Sequence, residues 1–299
     1  MSTASSNLLL LTASIIWGFA FVAQRLGMDH LGPFTFNGIR FALGSLSLIP
    51  LLLFFPRKEP LPTLKNSRVL IAGCIAGLIL FAGASLQQVA LLYTTAGKAA
   101  FVTCLYIVLV PLLGIFLQRP TTGGTWLGAL LAIAGLYLLC VKESFLPAYG
   151  DFLVLLGAFF WSGHILWIDH FARRVDVIQL AFCQFVTCAV LSLTIAARTE
   201  IITENALTAA AAPLLYGGLA SVGVAYTLQI VGQKYAPPAH AAIILSMETV
   251  FAAIGGYIFL DEVLTGRELS GCVVMLAGML VSQLSGLSSA PTSSRTEIT

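Results

Sequence analysis

Ten apolar runs, each close to the length that crosses a bilayer, constrain this chain more than any other feature. A membrane-spanning helix takes about 20 mostly apolar residues. Runs of that kind cover residues 7–25, 33–55, 67–92, 96–118, 122–141, 150–171, 177–197, 211–234, 238–260 and 267–285. Polar or turn-forming stretches separate them, among them "HLGPF", "FFPRKEPLPTLKNSR" and "YAPPAH". Pro237 and Pro238 suit a helix start, where a missing N–H leaves no bond unmade. Only 9% of the residues are charged while 58% are hydrophobic. Soluble domains carry about 25% charged residues, so this chain cannot cover itself with polar surface in water. The expectation is an all-α integral membrane protein of ten transmembrane helices.

The rest of the composition narrows the partners. A formal charge of +2 arises from few charged groups, and no basic patch suits a nucleic acid. Cys74, Cys104, Cys140, Cys183, Cys188 and Cys272 form no CxxC pair and no zinc spacing. They read as small residues of a membrane interior, with no metal or cofactor expected. Residues 1–7 are polar without Lys or Arg, so the first run reads as an uncleaved span rather than a signal peptide. Residues 286–299, rich in Ser and Thr, read as a disordered tail. Lys and Arg concentrate in cytoplasmic loops. Nine of them fall on the side of the N-terminus and five on the other, which places both termini in the cytoplasm.

The two halves resemble each other. "LLTASIIWGFAF" pairs with "LVLLGAFFWSGHIL", setting Trp17 on Trp161 and Arg40 on Gln184 at an offset of 144. "LQQVALLYTTAGKAA" pairs with "YTLQIVGQKYAPPAHAA" at 142, setting Gln87 on Gln229, Tyr93 on Tyr235 and Lys98 on His240. "LQRPTTGGTWLGALLAIAG" pairs with "LDEVLTGRELSGCVVMLAG" at 143. Repeats at 7–142 and 150–285 hold five spans each. Five is odd, so the second copy must enter the membrane from the opposite side. That is the inverted repeat of many secondary transporters, with a site between the halves.

The tandem halves, the early "WGFAF" and the ending "LDEVLTGRELSGCVVMLAGMLV" resemble the EamA repeats of the drug/metabolite transporter superfamily. Gln118-Arg119-Pro120 stands where the first half would carry the acidic position, so that signature is whole only once. Within the superfamily the chain is similar to bacterial exporters of aromatic and other amino acids, of the YddG type. The resemblance implies a basket of ten helices in a bacterial inner membrane. Spans one to four and six to nine would line a central cavity, with spans five and ten outside. It also implies efflux of small metabolites without ATP.

Several polar residues inside the spans are candidates for that cavity. Glu248 lies about ten residues into span nine, near mid-depth at ~1.5 Å per residue. A charge at the bilayer centre costs roughly 2.5–3.5 kcal/mol on insertion scales. Such a group faces a cavity or a partner: it couples protons, binds a substrate ammonium, or holds helices together. Arg40, seven residues into span two, can bind a substrate carboxylate through two parallel hydrogen bonds, pair with Glu248, or snorkel. Gln184 keeps a polar group at the matching place without the charge. Trp17 and Trp161, away from the interfaces where membrane Trp usually sits, suit an aromatic cavity wall or a packed interior. His164, one turn after Trp161, either switches a proton or packs with a hydrogen bond. Lys98 and His240 begin spans four and nine, where they rim the cavity or snorkel. Gln87, Tyr106, Tyr226 and Gln229 line the cavity or bond helix to helix. Gly73 and Gly77 form a GxxxG for close packing.

Three functions compete. The first is a secondary transporter exporting aromatic or other neutral amino acids and similar metabolites by alternating access, with a small-molecule substrate, lipid and protons as its partners. Export of other metabolites or drugs is a variant of it. A channel is the second. An intramembrane enzyme is the third, and the chain has no HExxH, GxSxG or nucleotide loop to support it. Ser162 and His164 are too close in sequence to face each other on a helix.

Overall fold

A bilayer interior offers the backbone no hydrogen-bond partner, so apolar runs of this length become helices that satisfy themselves. The computed structural model of the protein describes residues 3–54, 67–116, 123–140, 148–236 and 238–288. The described residues are almost entirely helix and turn. The loop basic residues Arg57, Lys58, Lys65, Arg119 and Lys142, the Gln118–Pro120 stretch, Pro237 and residues 289–299 lie outside them.

The first three helices are α1 (Thr3–Gly27), α2 (Pro33–Phe54) and α3 (Ser67–Ala90). The run expected at 96–118 is broken into α4 (Ala96–Thr103) and α5 (Tyr106–Phe116). Then come α6 (Gly123–Cys140), α7 (Tyr149–Phe171) and α8 (Val177–Thr199). A short helix not anticipated from the sequence, α9 (Glu204–Ala209), precedes α10 (Ala211–Leu215). A π-helical stretch, Tyr216–Tyr226, leads into α11 (Thr227–Gln233). The run expected at 238–260 is also broken, into α12 (Pro238–Leu245) and α13 (Glu248–Leu260). The last helix, α14 (Gly266–Ser288), runs three residues past the expected end at 285.

Among the described residues, seven stretches are long and apolar enough to cross a membrane, which makes this a multi-pass membrane protein: 4–27, 33–54, 68–90, 96–115, 149–171, 177–199 and 211–233. Each of the two breaks is one tight turn. Leu105 N bonds Val102 O at 3.1 Å and Ile107 N bonds Cys104 O at 3.0 Å. In the second break, Met247 N bonds Ile244 O at 3.2 Å and Thr249 N bonds Ser246 O at 3.0 Å. These i→i−3 bonds interrupt the α-helical pattern at mid-run.

Packing joins the two halves throughout. α2 lies on α8 and α6 on α14. α1 packs on α13, and α7 on α4. α3 packs on α7 and α8, while the π-helical stretch packs on α1 and α2. Gly73 and Gly77 meet α8: a side chain on Gly77 would sit 2.8 Å from Gln184 O, and one on Gly73 would meet Cys183. The GxxxG thus brings the α3 and α8 backbones close. α8 starts at a side-chain cap, with Asp176 Oδ1 accepting from Ile178 N at 3.0 Å and Gln179 N at 2.9 Å.

That cap gives the first prediction. Asp176→Ala removes the acceptor and should lower stability by ~0.5–2 kcal/mol. Reversible denaturation in mixed micelles reads the loss; an unchanged midpoint would mean that the cap does not hold α8.

Candidate functional site

The two helix breaks meet each other, and the site is built around their meeting point. Tyr106 is the first residue of α5 and Glu248 the first of α13. Glu248 therefore does not lie inside a continuous helix, as the run 238–260 suggested; it begins a new one. Tyr106 Oη donates to Glu248 Oε1 at 3.2 Å. Cys104 Sγ lies 3.4 Å from the same oxygen and 3.8 Å from Ser246 O. A buried carboxylate is tolerated where donors surround it, and here two donors come from the opposite break. Glu248 is 4% exposed.

Glu248 and Tyr106 face an internal cavity between the helices. Six more of the residues singled out in the sequence line it: Trp17, Arg40, Gln87, Trp161, Tyr226 and Gln229. Arg40 is 2% exposed. Its Nε donates to Asn37 Oδ1 at 2.9 Å, and Asn37 Nδ2 donates to Ala84 O on α3 at 3.1 Å. The guanidinium lies over the Phe41 ring, 4.9 Å from its centroid. Among the described residues it forms no ion pair, so the Arg40–Glu248 pairing considered from the sequence is not made.

Aromatic rings form one wall, gathered on Tyr226 at the end of the π-helical stretch. Trp17 meets Tyr226 edge-on at 4.7 Å, and Trp161 stacks on it at 6.3 Å and 25°. Trp17 Nε1 donates to Ser221 O at 3.2 Å, tying α1 to that same stretch. π-helical turns occur often at functional sites because they re-aim side chains. Gln87 Nε2 donates to Gln24 Oε1 at 3.1 Å on the cavity wall. Three buried polar atoms of the wall have no protein partner among the described residues: Thr103 Oγ1, Trp161 Nε1 and Gln229 Oε1. Buried polar atoms in native proteins are nearly always hydrogen-bonded, so these are available to a ligand.

The other candidates lie elsewhere. His164 Nε2 and Gln184 Oε1 are hydrogen-bonded at 2.9 Å, behind the ring wall rather than in the cavity lining. Lys98 does not rim the cavity. Its Nζ pairs with Glu268 Oε1 at 2.6 Å, joining α4 to α14, because a mostly shielded ammonium there is better held by a carboxylate than left to snorkel. The His240 side chain lies outside the described residues. Phe21, Gln24, Thr103 and Ser221 line the cavity without having been singled out. Phe21 and Gln24 stand four and seven residues after Trp17, a one-face helical spacing that the sequence did carry. Cys104 and Thr103 had no such signal, since only the break turns them inward.

The contact between the breaks is testable. Tyr106→Phe, Cys104→Ala and the double substitution, each measured for unfolding free energy, should show a coupling of ~0.5–3 kcal/mol, as expected for groups sharing one acceptor. Strictly additive effects would mean that the two do not act together on Glu248.

Comparison with known proteins bears on what this cavity belongs to. The chain is 31% identical over 285 residues to an uncharacterized transporter of Archaeoglobus fulgidus, covering 93% of this chain and 86% of that one. It is 23% identical over 282 residues to the uncharacterized transporter YoaV of Bacillus subtilis, covering 91% and 94%. A solved crystal structure 21% identical in sequence superposes with a TM-score of 0.68, covering 95% of this chain and 98% of that one, which shows a shared fold. The model of the EamA-like transporter family matches twice, at residues 4–141 and 148–283. With both halves matched, the chain belongs to the EamA-like transporter family.

Proposed function

We propose that the protein exports aromatic or other neutral amino acids across a bacterial inner membrane by alternating access. The observation that carries this is the cavity's chemistry. Arg40, without a carboxylate of its own, supplies the fork of donors that matches a substrate carboxylate. Glu248 offers a negative pole for the ammonium group. Trp17, Trp161 and Tyr226 give an apolar, polarisable wall for the side chain. Each of the three features suits one part of a zwitterionic aromatic molecule.

In this reading α6, the α12–α13 pair and α14 complete a set of ten spans, arranged as two inverted repeats. The packing pattern supports it. Exchanging the halves turns the α1–α13 contact into α7–α5, and α3–α8 into the contact between the π-helical stretch and α2. The breaks at Cys104–Leu105 and Ser246–Met247 are likewise separated by the repeat offset of 142. Two similar halves that trade conformations would open one cavity to each side in turn. Both termini would be cytoplasmic, from the Lys and Arg bias of the loops. Glu248 is the group through which proton movement would be coupled to export.

The test is uptake of radiolabelled phenylalanine, tyrosine and leucine into inverted vesicles, with and without a proton gradient. Wild-type protein should accumulate at least one of them. Glu248→Gln should slow uptake far more than it lowers expression, and Arg40→Lys, which keeps charge but loses the fork, should weaken it about ten-fold or more. No accumulation across a broad amino-acid panel would refute the proposal. Equal loss of expression and transport in Glu248→Gln would assign that residue to structure alone.

A further inference from the structure

Two carboxylates outside the cavity make the same unusual contact, each reaching from the second half to a helix start in the first. Glu200 directly follows α8. Its Oε1 accepts from Phe34 N at 2.9 Å and its Oε2 from Thr35 N at 2.7 Å, at the start of α2. Glu262 is the second residue after α13. Its Oε1 accepts from Ala96 N at 2.7 Å and its Oε2 from Gly97 N at 3.0 Å, at the start of α4. In both cases one carboxylate takes two adjacent amides, with sequence separations of 166 and 165. Helix starts carry unpaired N–H groups and a positive dipole end, so a carboxylate there is held by charge as well as by hydrogen bonds.

The backbone is shaped to admit both side chains. A Cβ on Gly32 would run into the Glu200 carboxyl group, and one on Gly256 would lie 2.6 Å from Glu262 Oε2. Asp176 offers a contrast: it caps the very helix that it begins, so no relative movement of helices can break that bond. The Glu200 and Glu262 bonds break as soon as α8 parts from α2, or α13 from α4.

Both contacts sit at one end of the bundle, over the cavity. Arg25 in the last turn of α1, Asp29 just beyond that helix, Thr94 and Thr95 before α4, and Glu262 line a single recess. The ends of α1, α3 and α13 therefore face one another. α2 starts five residues after α1 finishes, which puts Glu200 at this end too. The cavity reaches up towards it. Gln24 and Gln87, bonded to each other on its wall, each lie three residues short of the end of their helix. Lys98–Glu268 and Thr94 Oγ1–Asp151 Oδ1, at 2.6 Å each, add ties between the halves at the same end.

We propose that Glu200 and Glu262 are the paired gate of this cavity: two carboxylates of the second half that close one end by gripping the α2 and α4 starts of the first half, and that must both let go for that end to open. The proposal rests on the alternating-access reading above and adds to it the residues that hold the closed state. Because the halves move as bodies, loss of one grip loosens the other.

Hydrogen–deuterium exchange of the full chain in lipid nanodiscs, without substrate, tests the gate. Glu200→Gln and Glu262→Gln keep side-chain size and remove the charge. Each should speed exchange about ten-fold or more at both helix starts, residues 34–36 and 96–98, by raising the open population. Exchange in α6 and α14 should stay unchanged. Faster exchange only at the helix start that each residue itself caps would overturn the gate and leave two ordinary caps. Should a Gln variant fail to fold, Glu200→Asp and Glu262→Asp, which withdraw the charge by one methylene, should give the same linked pattern at smaller size; an unlinked pattern in them overturns the gate equally. The readout needs no transported molecule. Linked exchange in a protein that carries no amino acid would keep the gate and refute the substrate, whereas unlinked exchange in an active transporter would refute the gate alone.

Discussion

The contact on which the site depends is the hydrogen bond between Tyr106 and Glu248, made where two interrupted helices meet. A helix break inside an apolar bundle exposes backbone groups that lipid cannot satisfy. It is tolerated where it faces protein or a cavity, and here each break faces the other. The tight turns at Cys104–Leu105 and Ser246–Met247 absorb part of the lost bonding. The Ser246 carbonyl accepts from Thr249 and lies against the Cys104 thiol. Because the breaks are held together in this way, a carboxylate can sit at the centre of an apolar molecule beside an open cavity.

Around that contact the cavity divides into chemical zones. Arg40 is fixed by Asn37 and by the Phe41 ring, on a helix held by α8 and the π-helical stretch. The aromatic wall depends on Tyr226, which closes that stretch and meets both cavity tryptophans. Placing the guanidinium, the rings and the carboxylate on different helices has a mechanical consequence. Any relative movement of those helices changes all three contacts to a bound molecule together. Under the proposed alternating access, binding and conformational change would be linked through differential contact in the two states.

Much of this was legible in the sequence. Apolar run length gave the long helices, since a bilayer fixes both the length and the type of spanning element. Trp17, Arg40, Gln87 and Gln229 stood out as polar or aromatic residues inside apolar runs, with cavity lining one of the readings open for each, and all four line the cavity. The helix breaks were not legible. Cys104-Leu105 and Ser246-Met247 contain no Pro or Gly, and each run reads as uninterrupted helix; tertiary contact between the breaks decides their shape. For the same reason Glu248 looked like a mid-helix residue, although it starts α13. Lys98 looked like a snorkelling or cavity residue because its partner Glu268 lies 170 positions away, beyond the reach of local pattern. Phe21 and Gln24 share the Trp17 face and were available to the same spacing argument.

The central claim is that one cavity recognises both charged ends of an amino acid, with Arg40 taking the carboxylate. Equilibrium binding to the purified protein in nanodiscs tests it most directly, comparing phenylalanine with phenethylamine, which lacks the carboxylate, and with 3-phenylpropionate, which lacks the ammonium. The account predicts that phenylalanine binds at least about ten-fold tighter than either, roughly 1.4 kcal/mol, and that Arg40→Lys erases the advantage over phenethylamine. Equal binding of all three compounds, or a preference that survives Arg40→Lys unchanged, would contradict it.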